Sequence, residues 1–566
     1  MLKGLGWGRN GAEGPKRGLP TPESAPADVV ADFPRGRPDG NRHEPVATAR
    51  WISTEDAGRV LDPWRSGAFL LGRDAAGRHL GVSDDRHILT VAGSRAGKGV
   101  SLIVPNLLFW PGSVLAIDPK GELASLTASR RSAVGSAWSL PMTPGEGEVH
   151  ALDPFERVTG PARQFAGAFN PLADLDPESE RGLDLAWMIA DALVIQSQGD
   201  GAHWTQSARS FLRGLILYVA MTQAPDSRTL ITVRHLLTQG RKEFDLMLAD
   251  MIGKGGVVGR TASALKAKPP MERGSVISTC DVHTDFLEGE PMRRVLGGSD
   301  FRMEDLKQKR VTVYLCLPAT RLATHGRWLR LMVAMALEAM ERTGPLEKGK
   351  PPVLFVLDEF AALGHMESIE KAAGQIAGFG VKLWPVIQDL TQLQRDYKEA
   401  WETFMGNAGV LTFFGNTDLT TAKHISERLG DTEVVRTVMN ASENWQRTAG
   451  ESRADFLAAL AGQTQGSVNE GVNKGGGRSL SEQVMRGPLM NPSEIMQIFA
   501  RDAGNLLAFV SSRKVPPLAL YRCAYHGEED DGLFGGLYDE IPGQAKPRTT
   551  AAQRKARDGG AVPAVP

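Results

Sequence analysis

The sequence contains few cysteines, and they follow no pattern. Only three occur in 566 residues, Cys280, Cys316 and Cys523, and none has a second cysteine at the short spacing of a zinc or redox site. This argues against a disulfide framework or a zinc module. We expect the three thiols to be small core residues of a protein that is kept in a reducing compartment.

Long apolar runs and an excess of charge of one sign are also missing. No segment has the roughly 18 uninterrupted apolar residues of a membrane helix, and the first ten residues, MLKGLGWGRN, lack the apolar core of a secretory signal. We therefore expect a protein that is made and kept in the cytoplasm. Lysine and arginine number 65 against 66 aspartate and glutamate, so any nucleic-acid-binding surface must be local.

With 42% hydrophobic residues, a chain of this length can bury a large core and form more than one domain. Buried-strand patterns alternate with helical ones in two stretches, which predicts an α/β fold, and apolar residues at three- and four-residue spacing between them predict an inserted all-α domain. The predicted parts are a disordered arm at 1–45, α/β parts at 46–173 and 306–525, the helical insertion at 174–305, a polar loop at about 440–480 and a flexible tail at 526–566.

An apolar run that leads into a small-residue loop is the most informative stretch. Residues 88–91 predict a strand, residues 92–99 (AGSRAGKG) a loop, and residues 100–108 the start of a helix. Backbone N–H groups in such a loop converge on an anion, and the lysine reaches the terminal phosphates of a nucleotide. We therefore predict that a nucleotide is bound by the loop residues Gly93, Ser94, Arg95, Ala96, Gly97, Lys98, Gly99 and Val100, and the alternative is an ordinary flexible turn.

This loop departs from the usual pattern at Ala92, where glycine is usual, and at Gly99, where serine or threonine normally supplies a hydroxyl ligand to Mg²⁺. Ser101 lies two residues further along the predicted helix and therefore points elsewhere. Water or another side chain would then have to complete the coordination of the metal.

A second informative stretch is the apolar run at 353–357, which is typical of a buried parallel strand and ends in Asp358 and Glu359. Two carboxylates at a buried strand end are costly unless a cation lies beside them. We predict that Asp358 holds Mg²⁺ and that Glu359 orients and deprotonates the attacking water. Gln388 ends the next strand and is predicted to contact the γ-phosphate. The alternative is an acidic strand end and a polar strand cap without catalytic roles.

Two further features leave alternatives open. The short strand predicted within residues 114–123 ends in Asp118, Lys120 and Glu122, which serve either a ligand or a turn. Trp204 either stacks on nucleic-acid bases or opens an amphipathic helix as a core residue, and the pattern around it favours the core.

Taken together, these motifs resemble the coupling-protein ATPases of type IV secretion and conjugation, the TraG-like conjugative DNA-transfer proteins. The resemblance covers roughly residues 48–525. It is carried by the phosphate loop and following strand at 94–122, FNPL at 169–172, HWTQSAR at 203–209, VLFVLDEFAALG at 353–364, VIQDLTQL at 386–393 and TTAKHISERLG at 420–430.

The resemblance implies a RecA-like P-loop NTPase sheet with an inserted all-α domain, working as a homo-hexameric ring. Such a ring passes a relaxase-bound DNA strand, single- or double-stranded, or secreted proteins to a type IV secretion channel. Each nucleotide would lie at a subunit boundary, where an arginine of the neighbour stabilises transition-state charge. Arg428 is the candidate for this arginine finger, with Arg486 and Arg513 as alternatives.

Members of this family usually begin with membrane-spanning helices, whereas this sequence begins with a polar arm of about 45 residues. We expect that a separate membrane protein recruits it to the inner membrane, or that it works away from the membrane. Two alternative functions remain at this point. One is a receptor or adaptor that recruits effector or relaxosome proteins without pumping DNA, and the other is a soluble DNA-packaging or chromosome translocase.

Overall fold

A computed structural model of the protein describes residues 49–65, 67–132, 147–195, 201–443, 476–511 and 515–541. The predicted N-terminal arm, residues 444–475 of the predicted polar loop and residues 542–566 of the predicted tail lie outside the described residues. Within the described part, no helix combines the length and apolar character needed to cross a membrane.

The strands are numbered in chain order. They are β1 (Phe69–Arg73), β2 (His79–Val82), β3 (His87–Ala92), β4 (Val114–Ile117), β5 (Glu148–Leu152), β6 (Val311–Leu315), β7 (Val353–Leu357), β8 (Val381–Ile387), β9 (Ala408–Phe414), β10 (Asp431–Glu443), β11 (Gly476–Pro488), β12 (Asn505–Val510) and β13 (Leu518–Tyr521).

The helices of the described part are α1 (Ala57–Val60), α2 (Val104–Phe109), α3 (Glu122–Ser132), α4 (Glu180–Leu193), α5 (Ala202–Thr222), α6 (Leu230–Thr238), α7 (Arg241–Lys254), α8 (Gly256–Ala267), α9 (Pro270–Thr284), α10 (Glu290–Leu296), α11 (Asp305–Gln308), α12 (Leu322–Arg342), α13 (Glu367–Gln375), α14 (Leu390–Tyr397), α15 (Trp401–Gly406), α16 (Leu419–Leu429), α17 (Pro492–Ile498) and α18 (Asp531–Phe534). A π-helical turn, Gly99–Ile103, leads directly into α2.

One eleven-stranded sheet organises the molecule, in the order β2-β1-β13-β12-β9-β3-β8-β7-β4-β6-β5. The seven strands from β9 to β5 run parallel, while β12, β13, β1 and β2 continue the sheet as antiparallel neighbours. The β1–β2 pair is a hairpin that precedes the strand of the phosphate loop. Strand β3, which carries the loop, lies among the central parallel strands.

The central strands are buried on both faces, because helices cover both sides of the sheet. In β7, Val353, Phe355 and Leu357 pack into one hydrophobic cluster, while Leu354 and Val356 pack into the other. This alternation follows from the two-residue period of a strand. It explains why the sequence of β7 is an uninterrupted apolar run.

Between β5 and β6 the described chain is helical, from α4 through α11. Ser179 caps α4 by accepting a hydrogen bond from the Gly182 N–H. The long helix α5 buries Phe211 and Leu215 in a cluster that is continuous with one face of the sheet. Trp204 is partly buried against the same cluster, in line with the core interpretation.

Three sequence expectations need correction. The tail does not begin at residue 526, because Phe534 of α18 is fully buried and the Asp539 N–H donates to the Leu126 carbonyl 3.0 Å away.

The second correction concerns the ends of the polar loop. Residues 440–443 and 476–480 are paired strand, since Glu443 lies opposite Gly476 in the β10–β11 pair. The composition of these two ends is polar, which is typical of a loop, so it gave no signal for the pairing.

The third correction concerns strand β5, which the sequence analysis did not predict. Its five residues include Glu148 and His150, and it forms the outer edge of the parallel strands. An edge strand with polar residues lacks the continuous apolar run by which the central strands were recognised.

Candidate active site

The predicted site residues meet at the carboxyl edge of the parallel strands. Strand β8 lies between β3 and β7, so the loops that follow these three strands are neighbours. This edge is where ligands bind in open parallel sheets. The phosphate loop follows β3, Asp358 and Glu359 follow β7, and Gln388 follows β8.

The phosphate loop turns sharply after β3. Its φ angles are positive at Arg95 (56°) and Gly97 (89°), and the Ala96 N–H donates to the Gly93 carbonyl at 3.1 Å. Turns of this kind direct successive backbone N–H groups to one side and form an anion-binding concavity. A Cβ atom at Gly93 would lie 1.9 Å from the Gly415 carbonyl oxygen, so only glycine fits at the start of the loop.

Lys98 connects the loop to the acidic strand end. Its Nζ lies 2.7 Å from Asp358 Oδ1 and 3.0 Å from Glu359 Oε1. Burial by itself lowers the pKa of Lys98, but the two carboxylates outweigh this effect and raise it. The lysine is therefore a cation at any physiological pH, and it links the loop after β3 to the acidic turn after β7.

The two carboxylates occupy a constrained turn. Glu359 has a left-handed backbone with a φ of 54°, and its N–H donates to Asp358 Oδ1 at 3.0 Å. Such a conformation is costly for a residue other than glycine and is common at functional sites. Burial raises the pKa of Asp358, and the Lys98 ammonium counteracts part of that rise. The Gln388 amide donates to Glu359 Oε2 at 3.1 Å.

The oxygen donors at this edge fit a magnesium ion, because Mg²⁺ prefers hard carboxylate ligands and water. Ser101 does not contribute, since its hydroxyl donates to the Gly97 carbonyl at 2.9 Å, and the expectation that it points elsewhere is confirmed. A Cβ atom at Gly99 would have no atom within 4 Å. The space beside Gly99 is therefore open to a water molecule.

Asp118 performs turn chemistry. It is almost fully buried after β4 and accepts hydrogen bonds from the N–H groups of Lys120 at 3.3 Å and Ala124 at 2.9 Å. These bonds anchor the start of α3. Burial raises the pKa of Asp118 to about 7. Of the two alternatives for this residue, the structure supports the turn.

The two arginine candidates that the structure describes, Arg428 and Arg486, make their contacts away from the site of their own chain. Arg428 lies on α16 with its guanidinium over the Phe509 ring, 5.3 Å from the ring centroid. Arg486 forms an ion pair with Asp431 at 2.6 Å, and Arg513 lies outside the described residues.

Two residues of this edge were missed by the sequence analysis. Asn416 follows β9, is buried, and donates from Nδ2 to the Gln388 carbonyl at 3.2 Å. Its place at the end of a predicted strand was a usable signal. Arg522 follows β13 and donates to the Ala96 carbonyl of the phosphate loop. A single arginine after an antiparallel strand carries no sequence signal.

The sequence profile of the type IV secretory system conjugative DNA transfer family matches residues 43–553. The chain belongs to this family. The resemblance seen in the motifs is thereby confirmed, and it extends beyond the residues on which it was first based.

Similar proteins include two named conjugation components. The conjugal transfer protein TraG of Escherichia coli is 27% identical over 406 residues, covering 67% of this chain and 61% of the relative. Protein VirD4 of Agrobacterium fabrum (strain C58 / ATCC 33970) is 29% identical over 415 residues, covering 69% of this chain and 57% of the relative. The chain therefore aligns with less than two thirds of the length of either relative.

Solved structures of the conjugative coupling protein TrwB have the same fold. The unbound form lacking its first 70 residues aligns with a TM-score of 0.57 at 16% identity, covering 84% of this chain and 92% of that one. TrwB with ADP and Mg²⁺ gives a TM-score of 0.56 at 14% identity, covering 84% and 93%. The predicted fold class, a RecA-like P-loop sheet with an inserted all-α domain, is confirmed.

Proposed function

We propose that this family member is an ATP-hydrolysing coupling motor. It recruits relaxase-bound DNA, secreted proteins or both, and translocates them to a type IV secretion channel during conjugative transfer. The observation that carries the ATPase part of the proposal is the Lys98 ammonium within 3.0 Å of both Asp358 and Glu359. Membership of the family supports the conjugative part. The proposal that ATP and Mg²⁺ are the ligands is supported by the TrwB structures with an ATP analogue and with ADP and Mg²⁺.

The loop and Lys98 bind the phosphates in this proposal. Backbone N–H groups from Gly93 to Val100 take the inner phosphates, and the lysine leaves the carboxylates to reach the terminal ones. Asp358 would hold Mg²⁺, with water completing the shell beside Gly99. Bound Mg²⁺ supplies neutralisation of the charge that develops on the phosphate oxygens.

Glu359 is the general base. Its side chain is 30% exposed, so water can reach it, and its Oε2 accepts from Gln388. That bond orients the carboxylate towards an attacking water, from which it removes a proton. Gln388 also responds to the presence of the γ-phosphate. To contact a phosphate oxygen, its amide must exchange Glu359 Oε2 for that oxygen as hydrogen-bond partner. Movement of β8 and the helix that follows would carry this change to the rest of the motor.

A homo-hexamer completes the proposed motor. The neighbouring subunit's copy of Arg428 would act as the arginine finger, after leaving the ring of Phe509 over which it lies in the isolated chain. The motor works in the cytoplasm, where ATP is available. It acts at the inner membrane beside the channel, or away from the membrane.

The proposal is tested by the ATP hydrolysis rate with no DNA, single-stranded DNA and double-stranded DNA. Wild-type protein should hydrolyse ATP faster with at least one DNA, whereas Lys98→Ala and Glu359→Gln should show neither basal nor stimulated hydrolysis. Lys120→Ala, which alters an exposed lysine near the same edge, is the control. Hydrolysis by Lys98→Ala at the wild-type rate would refute the assignment of the ATP site. A wild-type rate that no nucleic acid changes would refute DNA pumping.

Mixing two inactive variants tests the finger and the ring together. Arg428→Ala keeps its own Lys98, and Lys98→Ala keeps its own Arg428. If the finger acts between subunits, the mixture should regain hydrolysis at the interfaces where an intact lysine faces an intact arginine. Mass measurement should find a hexamer in the same sample. A mixture no more active than its parts would count against Arg428 as the finger.

A further inference from the structure

We propose that Arg522 is a positioning residue for phosphate binding: it holds the Ala96 carbonyl so that the Gly97 N–H is aimed at the nucleotide phosphates. This inference rests on the proposed function, because it assumes that the loop binds a nucleotide. It adds a role for a residue from the antiparallel end of the sheet, far in sequence from the loop.

Arg522 is fixed from several sides. Its guanidinium donates to the Ala96 carbonyl and, at 2.5 Å, to the Arg501 carbonyl, and it lies 5.2 Å from the centroid of the Phe414 ring. Its backbone N–H donates to the Gly504 carbonyl at 2.8 Å. A planar guanidinium can stack on an aromatic ring while its separate N–H groups donate to two carbonyls, whereas a lysine ammonium has no planar face for such stacking.

The contact with Ala96 has a geometric consequence one residue further on. In a trans peptide unit the C=O and the following N–H point in opposite directions. Because Arg522 holds the Ala96 carbonyl on its own side, the Gly97 N–H must point away from Arg522, into the concave side of the loop. The φ of 89° at Gly97, accessible to glycine, permits this orientation.

The charge of Arg522 also suits an anion site. Burial lowers the pKa of Arg522 to about 10, and Asp502 opposes that fall, so the group remains cationic at neutral pH. Its Nε is buried and has no hydrogen-bond partner among the described residues. A cation on the outer side of the loop stabilises the negative charge of phosphates bound on its concave side.

Arg131 provides a matched control, because it makes the same kind of contact elsewhere. Its buried guanidinium donates to the carbonyls of Leu107, Trp110 and Gly112, none of which belongs to the phosphate loop. Loss of either arginine leaves backbone carbonyls without their hydrogen-bond donor and lowers stability. Only the loss of Arg522 should also change nucleotide binding.

The test is the Kd of the full chain for ADP and for a non-hydrolysable ATP analogue, measured by calorimetry alongside Tm. Arg522→Gln should raise both Kd values by about tenfold or more, the effect of losing one hydrogen bond to a charged group. Arg522→Lys, which keeps the charge, should raise both values by a smaller factor. For both variants KM for ATP should rise while kcat at saturating ATP stays within about twofold of wild type, because the catalytic carboxylates are untouched.

Arg131→Gln should lower Tm and leave both Kd values unchanged. Arg501→Ala keeps the backbone carbonyl that Arg522 contacts, so it should change neither Tm nor the two Kd values. The inference is overturned if Arg522→Gln and Arg522→Lys bind ADP as wild type does, or if Arg131→Gln weakens binding to the same extent. A wild-type chain that binds no nucleotide would overturn the proposed function itself, which separates the two failures.

Discussion

Replacing Lys98 by methionine isolates the electrostatic part of the site. The substitution keeps the length of the side chain but leaves Asp358 and Glu359 without the cation that lies within 3.0 Å of both. Breaking a buried ion pair costs about 3–5 kcal/mol. The carboxylate side chains are 15% and 30% exposed, so water screens part of the repulsion and we expect a loss of about 2–3 kcal/mol.

For a cooperative unit of this size, that loss corresponds to a fall of roughly 2–3 °C in Tm, measurable by scanning fluorimetry without nucleotide. Lys120→Met is the matched control, because the Lys120 side chain is 73% exposed and its contact with Glu122 is 3.7 Å long. Its removal should leave Tm unchanged.

The effect of Lys98→Met should depend on pH. The pKa of Lys98 is raised in the folded protein, so its stabilisation is complete below the ordinary lysine value of 10.5 and constant between pH 5 and 8. In the variant, the Lys98 ammonium no longer offsets the rise that burial causes in the pKa of Asp358, and the bond from the Glu359 N–H is the remaining interaction that lowers it. Asp358 then takes up a proton as the pH falls, which relieves the repulsion. The fall in Tm of Lys98→Met relative to wild type should therefore be larger at pH 8 than at pH 5. No fall at pH 8, or falls of equal size at the two pH values, would refute this reasoning.

Three further substitutions have distinct expected outcomes. Gly93→Ala forces a Cβ atom to 1.9 Å from the Gly415 carbonyl oxygen and should cost about 2–3 kcal/mol in the free energy of unfolding, measured by urea titration. The Cβ atom of Gly99→Ser would have no atom within 4 Å, so this substitution should raise the free energy of unfolding by about 0.5 kcal/mol. A loss of stability would contradict the open space beside Gly99. The added hydroxyl should also strengthen the Mg²⁺ dependence of ATP binding in calorimetry. Gln388→Ala removes the bond that orients Glu359 and should lower kcat by about tenfold or more, while the Kd for ADP stays at the wild-type value.

Much of the parallel sheet could be predicted because its strands are buried on both faces. The residues of β7 are all apolar, and the two carboxylates that follow mark its carboxyl end. The convergence of Lys98 with Asp358 then follows from parallel topology, which brings the ends of such strands to one edge. The site residues were therefore accessible from local patterns, although they lie about 260 residues apart in the chain.

The antiparallel part of the fold and its contacts were less accessible. Arg522 reaches Ala96 across a separation of 426 residues, through a strand order in which β13 lies next to β1. No local pattern encodes which loop a following arginine will meet, because that depends on the order of strands in the finished sheet. The ordered segment around Phe534 was missed for a related reason: a four-residue helix that buries one side chain acquires structure only from the surface on which it packs.

The rate of ATP hydrolysis by Glu359→Gln at saturating ATP tests most directly that the edge formed by β3, β7 and β8 is a catalytic site. Glutamine keeps the shape of the side chain and its contact with Gln388 but cannot remove a proton from water. We predict a rate at least about 100-fold below that of wild type, with unchanged affinity for the non-hydrolysable ATP analogue. Hydrolysis at the wild-type rate would contradict the assignment of Glu359 as the base.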